Sequence, residues 1–177
     1  MEAFLSDFGT KSYLPFPVIA ARLLLGALLG AVIGAEREWK RRPAGLRTHM
    51  LVCLAAALIA LLTIEITHVP FFQDEAIRVD PIRLIEAVTA GVAFLAAGMI
   101  LFTRGEVHGL TTGAGMWLAG AVGLACGLGF WQIALFTTAL AVIVLMVLGR
   151  LEQVAGLEGN KVTPPADSKQ GDQRPEA

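Results

Sequence analysis

Gly26-Ala-Leu-Leu-Gly30-Ala-Val-Ile-Gly34-Ala-Glu36-Arg37-Glu38-Trp39-Lys40-Arg41-Arg42-Pro43-Ala-Gly45-Leu-Arg47-Thr48-His49 runs an apolar helix, with glycine at every fourth position, into a strongly basic loop marked by proline. A second apolar run follows at once. This is the pattern of a membrane hairpin, with two spans in lipid and a charged connection in water. The rest of the chain repeats the plan.

The 177 residues are 55% hydrophobic, with mean hydropathy +0.66. A water-soluble domain of this size has too much surface to carry that apolar load. Nineteen glycines also suit closely packed membrane helices. The net charge of −1 gives no reason to expect a nucleic-acid partner. Five apolar segments of about 18–19 residues stand at 17–35, 49–66, 84–102, 110–128 and 130–148, each near the length that crosses a bilayer. Helices satisfy their own backbone polar groups in lipid, and the alternation of barrel strands is missing. The expected fold is therefore all-α: an integral membrane bundle of five transmembrane helices. The tight Gly127-Leu-Gly129 turn makes the last two adjacent and antiparallel.

Basic residues near span ends set the orientation. Arg37, Lys40, Arg41, Arg42, Arg47, Arg104 and Arg150 fall on one side, and Lys11, Arg78 and Arg83 on the other. The richer side is expected to be cytoplasmic, with the N-terminus outside and the C-terminus inside. Residues 1–16 read as an external N-terminal segment without the basic start of a secretory signal. Residues 17–150 form the membrane domain. Residues 151–177, polar and proline-bearing, read as a disordered cytoplasmic tail.

Shifted by 64 residues, the chain partly matches itself. Residues 45–57 fall on 109–121 with identities at 45, 46, 48, 54, 55 and 57, and Gly34 falls on Gly98. Spans one and two, and spans three and four, read as two parallel copies of a hairpin, with the fifth span extra. Gly26, Gly30 and Gly34 share a helix face, as do Gly115, Ala119, Gly123 and Gly127. Such seams let backbones approach within one chain or across a homodimer, and the sequence leaves both open.

An ionisable side chain at membrane depth needs a reason. Arg22 and Glu86 stand at matched positions of the two copies, so they either pair across a small polar cavity or lie separately at the interface. Glu36, Arg37, Glu38, Arg42, Arg47 and His49 crowd the basic loop. They form either a rim against anionic headgroups or a docking surface for another membrane protein. Thr48 and Thr112 stand where hydroxyls cap helices. Asp80-Pro81 reads as a helix start. Asp74, Glu75 and Asp80 are oxygen donors of the kind Mg²⁺ takes, although three acids on a loop are commonly just solvated. Cys53 and Cys126, inside apolar runs, read as buried hydrophobes. Metal-ligand spacing and catalytic motifs are absent, so no enzyme is expected.

Gly34-Ala-Glu36-Arg37-Glu38, Pro43-Ala-Gly-Leu-Arg-Thr-His49, Asp80-Pro-Ile-Arg83, Gly91 through Gly98 around Phe94-Leu95, and Gly109-Leu-Thr111-Thr112 followed by Trp117 together resemble the MgtC/SapB family of bacterial membrane proteins. The resemblance implies a multi-pass protein of the bacterial inner membrane, linked to growth at low Mg²⁺ and to pathogen survival. It implies a regulator or adaptor of other membrane proteins, the founding member acting on machinery that includes the ATP synthase. The alternative is a small cation or solute transporter working as a homo-oligomer, since many relatives carry a magnesium-transporter name. The family's Gly-Phe-Leu-Gly-Ala-Gly here reads Ala93-Phe-Leu-Ala-Ala-Gly98, its arginine before Gly-Leu is His108, and an asparagine of the founding member is Thr111. The soluble domain of longer members has no counterpart in residues 151–177. Expected partners are the bilayer and another membrane protein. No cofactor is expected, apart from Mg²⁺ as a weak candidate.

Overall fold

The computed structural model describes residues 12–69, 80–103 and 106–154. Among them the chain forms helices α1 (Phe16–Trp39), α2 (Leu46–His68), α3 (Pro81–Gly98), α4 (Leu110–Leu128) and α5 (Trp131–Val154). The expected all-α bundle is the observed one. Helices α1, α2 and α4 are long and apolar enough to cross a membrane, while α3 and α5 have shorter apolar stretches, Ile85–Gly98 and Trp131–Val147. The third apolar run departs from expectation at its end. The helix stops at Gly98, and Phe102 belongs to a two-stranded antiparallel ribbon, β1 (Leu101–Thr103) with β2 (Glu106–His108), in the register Leu101↔His108. Glycine is a poor helix former, and at Gly109 (φ 88°) the chain adopts the left-handed turn that releases it into α4.

Each helix of the first hairpin, α1–α2, is capped by a carboxylate from its neighbour. Glu38, near the end of α1, accepts a hydrogen bond from Leu46 N (3.1 Å) at the start of α2. Glu65, near the end of α2, accepts from Ser12 Oγ (2.8 Å), Tyr13 N (2.7 Å) and Leu14 N (3.0 Å) just before α1. The Tyr13 ring stacks on His68 at 3.5 Å between centroids. Orphan N–H groups and the positive helix N-terminus both favour an anion there. Thr48 and Thr112 are not caps, which corrects the sequence expectation. The N-cap residues are Gly45 and Gly109, three residues upstream of Thr48 and Thr112, and neither makes a side-chain cap bond. Asp80 does cap α3, accepting from Ile82 N at 3.0 Å with Pro81 in the first turn.

Helix α2 lies at the centre, and both glycine seams close on it. A Cβ at Gly30 would stand 2.7 Å from His49 O and 2.8 Å from Cys53 Cβ; one at Gly34 would stand 2.7 Å from Leu46 Cα. From the α4 side, a Cβ at Gly123 would collide with the Cys53 carbonyl, and one at Gly127 with the Ala57 carbonyl. Cys53, Ala56, Ala57 and Ala60 are correspondingly buried, and Cys53 and Cys126 are both free thiols in the core. These glycines are therefore spent inside one chain, and the homodimer use of the two seams is set aside. Lipid tails are as apolar as side chains, so association rests on such close van der Waals contact.

The second hairpin is looser. Val92 fills the notch at Gly120 and Ala96 backs on Gly113, but much of α3 faces outward, with Phe94 80% exposed. The two pairs share topology without sharing packing. Leu24, Leu28, Phe136 and Ile143 also point outward, as side chains bathed in lipid do.

Substituting Gly123→Ala is expected to lower the thermal stability of the detergent-solubilised protein, by about 1–3 kcal/mol as overpacking does. Gly91→Ala, at a position with nothing within 4 Å of the added carbon, is expected to leave stability unchanged or raise it. Differential scanning fluorimetry on both variants checks the contrast.

Candidate functional site

The arginine-rich end of the bundle holds a buried polar cluster built by three helices. The last turns of α1 supply Glu36 and Arg37, which are 8% and 3% exposed; the first turn of α2 supplies His49 (0%); and the first turn of α4 supplies Thr112 (2%). Helical spacing explains the placement. Residues 26, 30, 33, 34 and 37 follow the face of α1 that meets α2 and α4, so continuing the apolar seam beyond Gly34 carries Arg37 inward.

Arg37 Nη2 donates to Thr112 Oγ1 at 2.9 Å, tying α1 to α4. The Glu36 carboxylate lies between two cations, Lys40 Nζ at 2.6 Å and Arg37 Nη1 at 4.0 Å. Lys40 also reaches across to the Leu145 carbonyl at 3.2 Å, which ties α1 to α5. The His49 Nδ1 meets the Gly45 carbonyl at 2.9 Å, fixing the ring against its own helix start. Its Nε2 points to Gly115, where a Cβ would stand 3.2 Å away, so the missing side chain leaves room for the imidazole. Among the described residues, Glu36 Oε1 and Oε2, Arg37 Nε and His49 Nε2 are buried without a hydrogen-bond partner; the Lys40 ammonium meets Glu36 as an ion pair, off the hydrogen-bonding direction. Buried polar atoms are nearly always bonded, and ionisable groups at membrane depth mark functional sites. The cluster is the chain's strongest candidate on both grounds.

The structure divides the residues expected to form a lipid-facing or docking loop. Arg42 and Arg47 are exposed, together with Arg41, whose φ of 51° is the one positive value on a non-glycine residue among those described. Glu38 is exposed and serves as the α2 cap. Glu36, Arg37 and His49 face inward and cannot meet a headgroup or partner directly, which corrects that part of the expectation. The sequence view missed this because a charged run is usually a solvated face; the signal was the seam period continuing through 37.

The expected meeting of Arg22 and Glu86 does not occur. Arg22 Nη1 donates to the Gly127 carbonyl at 2.9 Å, where α4 ends, while Glu86 is exposed on α3. The carbonyls of a helix C-terminus attract a cation, and that nearer partner wins. Gly26, Gly30, Gly34, Gly115, Gly123 and Gly127 all face α2, as described. Asp80 and Arg83 form an exposed pair at 3.9 Å. Gly98 has open space around it, Thr111 is exposed, and Trp117 lines an apolar cavity of about 310 Å³ between α3, α4 and α5. Asp74 and Glu75 lie outside the described residues, and among the described ones no three His, Cys, Asp or Glu side chains converge as metal ligands. The Lys40 bridge to α5 was not foreseen, although Glu36 and Lys40 are i,i+4 partners.

The family model for the MgtC family matches residues 23–154. The chain belongs to the MgtC family. It is 39% identical over 147 residues to protein SrpB of Synechococcus elongatus, covering 78% of this chain and 79% of that one. It is 40% identical over 125 residues to protein MgtC of Salmonella typhimurium, covering 71% and 49% respectively. It is 32% identical over 130 residues to the Escherichia coli K12 protein YhiD, whose name proposes magnesium transport, covering 73% and 60%. The chain thus spans about half to two-thirds of the length of several relatives, MgtC and YhiD among them. No solved structure matches it. Family membership and the apolar helices make it a membrane protein, and the buried cluster is built from the motif residues that carried the resemblance.

Thr112→Val removes the acceptor of a buried charged donor, so a loss of about 1.5–3 kcal/mol is expected. Thr111→Val, one residue away and exposed, serves as the control and is expected to change little. Denaturant titration in mixed micelles, followed by tryptophan fluorescence, measures the difference.

Proposed function

We propose that this MgtC-family protein is a multi-pass protein of the bacterial inner membrane that regulates or adapts other membrane proteins through helix–helix contact. In this reading the arginine-rich end faces the cytoplasm, as the excess of Lys and Arg there favours. The observation that carries the reading is the outer face of α3. Ala87, Gly91 and Gly98 stand there at helical spacing, exposed, around the 80% exposed Phe94, and a Cβ at Gly91 or Gly98 meets nothing within 4 Å. Elsewhere in this chain glycines at such spacing are filled by a neighbouring helix. In lipid, small residues beside an exposed aromatic ring give a second helix room to approach and a ring to pack against. The buried cluster, on this view, holds α1, α2, α4 and α5 as a rigid frame from which α3 is presented.

The second reading is transport of Mg²⁺ or another small cation. It is favoured by the name given to YhiD and by the buried Glu36 carboxylate, whose oxygens lack hydrogen bonds among the described residues.

Purified protein in liposomes loaded with a Mg²⁺-sensitive dye separates the two. The adaptor reading expects no protein-dependent uptake. It also expects that a tagged chain, expressed in cells, co-purifies one defined membrane complex at fixed stoichiometry, and that Gly91→Phe releases it while leaving helicity unchanged. Uptake that scales with protein and is lost in Glu36→Gln would replace the adaptor reading with the transport one.

A further inference from the structure

Helices α1 and α5 run side by side toward the arginine-rich end and leave a groove of about 770 Å³ between them. That size falls in the range, about 300–1,000 Å³, of sites that hold small ligands. The groove lies between two helix faces: Val32, Ala35 and Trp39 line it from α1, and Val142 and Met146 from α5. Its walls are therefore apolar along the membrane-embedded part. Its charged lining residues, Glu36, Lys40 and Arg150, come at the ends of the two faces. Trp39, 89% exposed, stands at the depth where amphipathic rings mark the headgroup layer.

The charges are not equivalent. Glu36 is held by Lys40 at 2.6 Å, and Lys40 in turn donates to the Leu145 carbonyl at 3.2 Å. Arg150 is exposed and brings a guanidinium that can take a phosphate with two parallel hydrogen bonds. Arg41 and Arg42 lie exposed just past the end of α1, so the mouth of the groove is net positive.

We propose that the α1–α5 groove is a binding site for one anionic phospholipid, of the phosphatidylglycerol type. An acyl chain lies along Val32, Ala35, Val142 and Met146, and the phosphate meets Arg150 at the basic mouth of the groove. Basic pockets between membrane helices hold anionic lipid in this way. The site is independent of the α3 face, which lies on another side of the bundle's contacts.

Native mass spectrometry of the full chain, delipidated in detergent and given equal amounts of phosphatidylglycerol and phosphatidylcholine with matched acyl chains, tests the site. Phosphatidylglycerol adducts are expected at least tenfold over phosphatidylcholine. Arg150→Gln and Ala35→Phe, one removing the cation and the other filling an exposed wall position, are each expected to cut that retention at least fivefold. Both variants should keep the helicity and elution volume of the unaltered chain, and Ala35→Leu replaces Ala35→Phe if the ring disturbs folding. Soluble glycerol phosphate in large excess is expected not to displace the lipid. Equal retention of the two lipids, undiminished retention in either variant, or displacement by glycerol phosphate would overturn the proposal.

Discussion

The structure depends on how near two helices come to the backbone of α2. Four positions without a side chain, Gly30 and Gly34 on α1 with Gly123 and Gly127 on α4, let both neighbours touch main-chain atoms of the same central helix. In lipid there is little hydrophobic gain from bringing helices together, so contact density must supply the attraction. Dispersion falls steeply with distance, and even one methyl group at Gly123 would push α4 away from Cys53 and Ala57 together. The alanines and Cys53 of α2 complete the arrangement from the other side, being small enough to be buried by two neighbours at once.

Polar contacts then fix what the close approach has assembled. Glu38 and Glu65 each sit near the C-terminus of their own helix, where a negative charge is unfavourable. Each lies at the N-terminus of the helix beside it, where the same charge is favourable. The exchange locks the register of the α1–α2 hairpin at both ends. Arg37 to Thr112 and Lys40 to Leu145 extend the locking to α4 and α5. Buried ionic groups add little net stability over apolar ones, but a misregistered helix would leave Arg37 or Glu36 unpaired, and that penalty discriminates between arrangements.

Much of this was legible in the chain. Apolar length and the basic loop gave the membrane bundle, the glycine period gave the seams, and Asp80-Pro81 gave the start of α3. What escaped was the direction in which individual polar side chains turn. Glu36 and Arg37 belong by sequence to a charged run, yet helix rotation carries them inward because the seam continues past Gly34. Arg22 and Glu86 match in the repeat, yet the first hairpin packs tightly and the second does not, so matched positions do not share surroundings. The third helix ended early, since its apolar run continues through Leu101 and Phe102 into a ribbon whose pairing is non-helical and invisible to hydropathy.

Arg22 adds a consequence for how the protein is made. It stands roughly 9 Å into α1, and its partner, the Gly127 carbonyl, is synthesised 105 residues later. While the intervening helices are still being produced, the guanidinium does not yet have that carbonyl to meet. The contact that ties the start of α1 to the end of α4 can form only once the fourth helix has been made.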